Sequence, residues 1–168
     1  METQILLKKL WESASFGIRE LPSVATELKS ILTGALGFEK DGFPYGVVAL
    51  QGEMGAGKTT LVKAIVDAWG FDDEAVSPTF GLVQCYVQGA NKIYHLDLYR
   101  LVDEEEAWDL GLTEYFDDVA LNFVEWPEQA PGLLPEQTIL LQIVVDGEQH
   151  DGKRKLILSI RDTEQSPV

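Results

Sequence analysis

The octet Gly52-Glu53-Met54-Gly55-Ala56-Gly57-Lys58-Thr59 decides the fold. It fits G-x-x-x-x-G-K-[ST], the pattern of a phosphate-binding loop. The apolar run Val47-Val48-Ala49-Leu50 precedes it, and the helix-like Thr60-Leu61-Val62-Lys63-Ala64-Ile65-Val66 follows. Strand, glycine loop and helix in that order give the motif its structural context. Glycines let backbone N–H groups turn inward around phosphate oxygens, and the helix start adds the positive end of its dipole. In this geometry Lys58 reaches the β- and γ-phosphates, and the Thr59 hydroxyl is a Mg²⁺ ligand. The motif implies nucleoside-triphosphate binding along Gly52, Glu53, Met54, Gly55, Ala56, Gly57, Lys58, Thr59 and Thr60.

The surrounding pattern predicts an α/β chain: a small P-loop NTPase fold with a central parallel sheet extended by antiparallel strands. Residues 1–20 read least clearly, with a helix or strand over Ile5 to Trp11 and a short edge strand over Ser15 to Arg19. Ser23 suits the N-cap of a helix reaching about Leu36, because Val24, Leu28, Ile31 and Leu32 recur at helical spacing. Gly37 to Gly46 reads as a loop, and Gly70 as the stop of the helix after the octet. Phe80 to Val87 and Lys92 to Leu96 form a hairpin across Gln88-Gly89-Ala90-Asn91. Asp103 to Leu110 is an acidic helix ended by Gly111, and a helical turn surrounds Glu114 to Phe116. Ala120 to Val124 is a buried parallel strand, Ile139 to Val145 pairs with Lys155 to Ile160, and the tail after Asp162 is frayed. One P-loop domain over 1–168 accounts for the length.

Composition narrows the classes. The 168 residues are 45% hydrophobic and 24% charged, with a net charge of −15. That is the make-up of a folded domain, and no run approaches a membrane span. The single cysteine, Cys85, excludes an internal disulfide and suits a reducing cytoplasm; its apolar setting makes it an inert thiol rather than a nucleophile. The acidity argues against an extended nucleic-acid surface, so any nucleic acid would be held by a partner. Only Arg19, Arg100, Arg154 and Arg161 are arginines. That scarcity weighs against a small-molecule kinase, which needs several cations around the transferred phosphate. Asn91-Lys92-Ile93-Tyr94 lacks the aspartate of the guanine-reading motif.

An NTP-hydrolysing site also needs a carboxylate at the end of a buried strand. Glu125 follows Leu121-Asn122-Phe123-Val124, and Asp97 follows Ile93-Tyr94-His95-Leu96; either or both suit an oxygen-seeking cation. Ser77-Pro78-Thr79-Phe80 lies where a γ-phosphate-sensing switch sits in many P-loop proteins. His95 and His150 are the only histidines, and no Cys/His cluster suggests zinc. Trp126, beside Glu125, either packs or lines the site.

Together with the octet, Ser77-Pro78-Thr79-Phe80, His95-Leu96-Asp97-Leu98-Tyr99-Arg100-Leu101 and Val124-Glu125-Trp126-Pro127-Glu128 resemble the TsaE (YjeE) family in order and spacing over about residues 46 to 160. The acidic run Asp103-Glu104-Glu105-Glu106, Gly111 and Glu114-Tyr115-Phe116 fit the same pattern. The resemblance implies a cytoplasmic Mg²⁺-dependent ATPase of bacterial tRNA threonylcarbamoyladenosine synthesis. Such a protein acts with TsaD and TsaB and meets tRNA only indirectly through that complex. It further implies Thr59 and Glu125 as Mg²⁺ ligands, with Lys58 and the Gly55-to-Thr60 backbone on the phosphates. Asp97 would position water or metal, and Ser77 and Thr79 would form the switch with His95 and Trp126 in support. A nucleotide contact near the last hairpin falls on Lys153 or Arg154, and an adenine contact lies near Ser23. Phe80 replaces a common tyrosine, and residues 1–20 and Gly37 to Gly46 are longer than the family pattern. Two other readings remain: a nucleotide-gated interaction module with incidental hydrolysis, and a small-molecule kinase.

Overall fold

A computed structural model describes residues 6–38, 42–72, 81–147 and 152–162. The strands are β1 (Leu7–Glu12), β2 (Gly37–Phe38), β3 (Pro44–Gln51), β4 (Val83–Gln88), β5 (Asn91–Asp97), β6 (Leu121–Glu125), β7 (Ile139–Val145) and β8 (Arg154–Arg161). The helices are α1 (Leu21–Ala35), α2 (Lys58–Ala68), α3 (Glu104–Asp109) and α4 (Thr113–Asp117). The sheet runs β1-β8-β7-β3-β6-β5-β4, with β2 paired to the start of β3. Neighbours from β7 to β5 are parallel, and β1, β8 and β4 add antiparallel margins.

Alternation on the parallel strands divides the core into two layers, because successive strand residues face opposite sides. On β6, Leu121 and Phe123 join Leu28, Leu32, Val62 and Ile65 from α1 and α2. Val124, one residue on, packs with Leu96, Ala107 and Leu112 on the α3 and α4 side. All five β6 residues are buried, as expected of a strand flanked by parallel partners with both faces covered.

Several boundaries differ from the sequence reading. α1 starts at Leu21 with Glu20 as its N-cap, so Ser23 lies inside the first turn; Pro22, preorganised for a helix start, explains the shift. Ser15 to Arg19 holds a single bridge from Phe16 to Arg154 and the start of a 3₁₀ turn at Ile18–Glu20, not an edge strand. The segment read as a loop from Gly37 contains β2, and β3 already begins at Pro44. The first hairpin strand begins at Val83, after a turn at Gly81 and Leu82, and Phe80 lies outside the described residues. Residues 7–12 resolve to strand: β1 pairs with β8 and bulges between Lys9 and Trp11, and Ile5 lies outside the described residues.

At the far end of the sheet, Lys92 Nζ and Tyr94 Oη donate to Asp118 Oδ2 at 2.8 and 2.6 Å. The Lys92 bond, then the Tyr94 bond, hold the Asp118 carboxyl below its ordinary range. Burial, followed by the Asp118 contact, pushes the Tyr94 phenol up. A depressed carboxylate contributes stability above its unfolded value of ~3.9, and that contribution is lost as pH falls through the folded value. Asp118→Asn is therefore expected to lower the urea midpoint modestly at pH 7 and to narrow its distance from wild type as pH drops below about 4.

Candidate nucleotide site

The glycine loop joins β3 to α2. Gly57 is the N-cap of α2 with φ 101°, a left-handed conformation that a side chain would strain. The first intrahelical bond runs from Leu61 N to Gly57 O, so earlier N–H groups of the helix face outward without helical acceptors. Gly52 is needed for a different reason. A Cβ there would approach the Ala56 Cβ and the Ile143 carbonyl at 3.1 Å.

Two clefts meet at this loop. One is lined by Met54 to Thr60, Asp97, Tyr99, Glu125 and Trp126. The other, more apolar, is lined by Phe16, Ile18, Leu21, Ile143, Leu156, Gly152 and Arg154, and shares Gly55, Ala56, Gly57 and Thr60 with the first. Polar loop and carboxylates on one side, apolar walls on the other, suit a ligand with charged and flat apolar parts.

Lys58 is buried, donates from Nζ to the Gly52 carbonyl at 2.7 Å, and lies 3.8 Å from the Trp126 ring centroid. That distance makes a cation–π contact. Trp126 adopts φ 56°, ψ 50°, and is the one non-glycine with positive φ among the described residues. For a bulky residue this conformation is costly, and such strain collects at functional sites. Its ring also meets Tyr99 at 5.0 Å.

Glu125 ends β6 and Asp97 ends β5, and the two are direct register partners. Glu125 is 2% exposed, and the Thr59 hydroxyl approaches its two oxygens at 3.0 and 3.1 Å. Asp97 is half-buried, and its Oδ1 accepts from Tyr99 N at 3.1 Å, so it caps the following turn while lining the cleft. His95 lies under the site, with Nε2 3.2 Å from Glu125 Oε2. A hydroxyl and a carboxylate presented together are hard-cation donors. Among the described residues no group of three or more His, Cys, Asp and Glu forms a metal cage. Mg²⁺ bound with substrate phosphates needs only one or two protein oxygens, so the residues fit it.

Arg154 Nε donates to the Ala56 carbonyl at 3.1 Å, which brings β8 against the loop. Lys153 is exposed and absent from both cleft linings; Ser23 is likewise exposed on α1 and outside them. Ser77, Thr79 and His150 lie outside the described residues. Tyr99, Phe16, Ile18, Leu21 and Ile143 line the clefts without having been singled out from sequence. Tyr99 was detectable from its place two residues after the strand-end Asp97; the others depend on long-range pairing.

Glycine loop, parallel central strands and strand-end carboxylates define a P-loop NTPase-like protein. The model of the family described as "Threonylcarbamoyl adenosine biosynthesis protein TsaE" matches residues 18–156, and the chain belongs to that family. Relatives named "tRNA threonylcarbamoyladenosine biosynthesis protein TsaE" include one from Bacillus subtilis, 40% identical over 119 residues, 71% of each chain. One from Haemophilus influenzae is 42% identical over 97 residues, and the match spans 58% of this chain and 61% of the relative's length. The crystal structure of Bacillus subtilis YdiB superposes with a TM-score of 0.64 at 26% identity, covering 95% of this chain and 90% of that one. No described helix is long and apolar enough to cross a membrane.

Proposed function

We propose that this chain binds and hydrolyses ATP with Mg²⁺, and that it thereby supports threonylcarbamoyl transfer to tRNA together with TsaD and TsaB in the cytoplasm. The pairing of Thr59 Oγ1 with the buried Glu125 carboxylate at 3.0 Å, beside the glycine loop, carries this reading. The names of the relatives support the pathway.

The loop N–H groups and the start of α2 hold the phosphate oxygens. Lys58 exchanges the Gly52 carbonyl for a phosphate oxygen and offsets its charge. Thr59 Oγ1 and Glu125 would hold Mg²⁺, which when bound would supply charge neutralisation to the phosphate oxygens. Asp97, at the rim of the same cleft, orients a water whose oxygen attacks the γ-phosphorus. The bond from phosphorus to the bridging oxygen breaks, ADP leaves with the electron pair, and the water's proton passes to Asp97 or solvent. The nucleoside occupies the apolar cleft of Phe16, Ile18, Leu21 and Ile143, with Arg154 at its edge. Arg154 is the one arginine in either lining among the described residues, which favours slow hydrolysis over phosphate transfer to a small molecule.

The test is Mg²⁺-dependent ATP turnover by the chain alone and with TsaB and TsaD from the same source. Slow turnover alone, stimulated about tenfold or more by the pair, is expected, because positioning groups in such sites are often supplied by a partner. ATP binding without any stimulation would transfer the reading to a nucleotide-gated docking module.

A further inference from the structure

The mechanism above leaves the buried histidine of β5 without a task. His95 is 4% exposed, and among the described residues neither ring nitrogen completes a hydrogen bond. On β5 it shares a sheet face with Asp97, two residues along, and its register partner on β6 is Phe123. Glu125 lies two residues beyond Phe123 on that same face. The imidazole therefore approaches the carboxylate from within the sheet, while Thr59 approaches from α2.

Nε2 stands 3.2 Å from Glu125 Oε2, close but off the hydrogen-bond axis. Two unprotonated acceptors at that distance, in a dry interior, would repel each other. Nε2 consequently carries a hydrogen. A buried carboxylate needs donors, and the single Thr59 hydroxyl proton is shared between both of its oxygens. Among the described residues, His95 Nε2 is thus a side-chain nitrogen placed 3.2 Å from Glu125, though the hydrogen bond itself is not formed.

We propose that His95 is a positioning residue. Its Nε2–H fixes the Glu125 carboxylate so that the other oxygen stays turned to Thr59 and to a cation in the adjoining cleft. Partners of metal-binding side chains act this way in general, and their loss typically costs 10–100-fold in metal affinity or activity. This role rests on the Mg²⁺-dependent ATPase reading.

The discriminating experiment compares His95→Gln with His95→Asn. A glutamine amide nitrogen falls near the position of Nε2, and an asparagine nitrogen near that of Nδ1. Turnover is measured against free Mg²⁺ and against ATP, with the melting temperature recorded for each variant. His95→Asn is expected to raise the Mg²⁺ concentration for half-maximal turnover by about tenfold and to lower kcat by ~10–100-fold. The KM for ATP at saturating Mg²⁺ is expected to stay unchanged, and His95→Gln to remain within about threefold of wild type on every measure. If the two amides show the same Mg²⁺ dependence, or both fail to fold, His95 serves only the core and the proposal is overturned. If wild type itself shows no Mg²⁺-dependent turnover, the ATPase reading falls and takes this role with it; an active wild type with indistinguishable amide variants removes the role alone.

Discussion

Glu125→Ala is expected to lower Mg²⁺-dependent ATP turnover by roughly 10²–10³-fold, the scale seen when one preorganised electrostatic group is removed from a reaction centre. ATP binding should survive with a smaller loss, because the loop N–H groups and Lys58 remain. The asymmetry follows from placement. On the proposed reading, Lys58 and the loop, contiguous in sequence, would hold the phosphates before and during the reaction, whereas Glu125, bonded to Thr59, would meet them only through the cation. Interactions that strengthen as charge develops appear in kcat rather than in binding. Alanine also strands the Thr59 hydroxyl and His95, both of which approach Glu125 within 3.2 Å. Fluorescent-nucleotide titration beside steady-state turnover separates the two effects. Equal losses in binding and kcat would show that Glu125 supports the fold of the loop instead.

Phe123→Ala is expected to cost about 3–5 kcal/mol of stability, a large fraction of the 5–15 kcal/mol that holds a typical domain folded. Phe123 is fully buried on β6, between β3 and β5, in the layer that α1 and α2 cover. The loss combines the transfer of an aromatic ring with the cavity left beneath two helices that cannot fully collapse. At roughly 2–4 °C per kcal/mol for a chain of this size, the melting temperature should fall by about 10 °C or more. Differential scanning calorimetry reads this directly. A fall of only 2 or 3 °C would mean that α2 settles into the space, and the loop it carries would then be displaced as well.

The phosphate loop was legible because its information is local: strand, glycines and helix follow one another within 25 residues, and Gly57 supplies the one backbone conformation the helix start requires. Asp97 and Glu125 were legible as strand ends, and the parallel pairing of β5 and β6 sets them side by side. The second cleft was not. Its walls come from Phe16, Ile18 and Leu21 before the motif and from Ile143 and Arg154 long after it. Nothing in the neighbourhood of Phe16 announces that its backbone will bridge to Arg154. Which of Lys153 and Arg154 lies against the loop is not legible in sequence for the same reason, since it depends on which side chain turns toward Ala56. The start of α1 was misplaced because Ser23 is a better side-chain cap than Glu20, yet Glu20 occupies the cap without a side-chain bond to the helix, its carboxylate accepting from Gly17 N instead, and Pro22 takes up the first turn.

The pairing of β1 with β8 has a consequence for how the chain is made. Leu7 meets Arg161, and β1 has no other neighbour in the sheet. During synthesis β1 leaves the ribosome well before β8, with which it pairs. Even after pairing, β1 forms a margin of the sheet and leaves Leu7 and Leu10 exposed, the kind of edge to which other chains add. The same final strand delivers Arg154 to the loop, 98 residues away along the chain. A nascent chain halted before β8 would carry the whole phosphate motif and still lack one wall of its nucleotide cleft. Completion of the candidate cleft and pairing of β1 therefore both await β8.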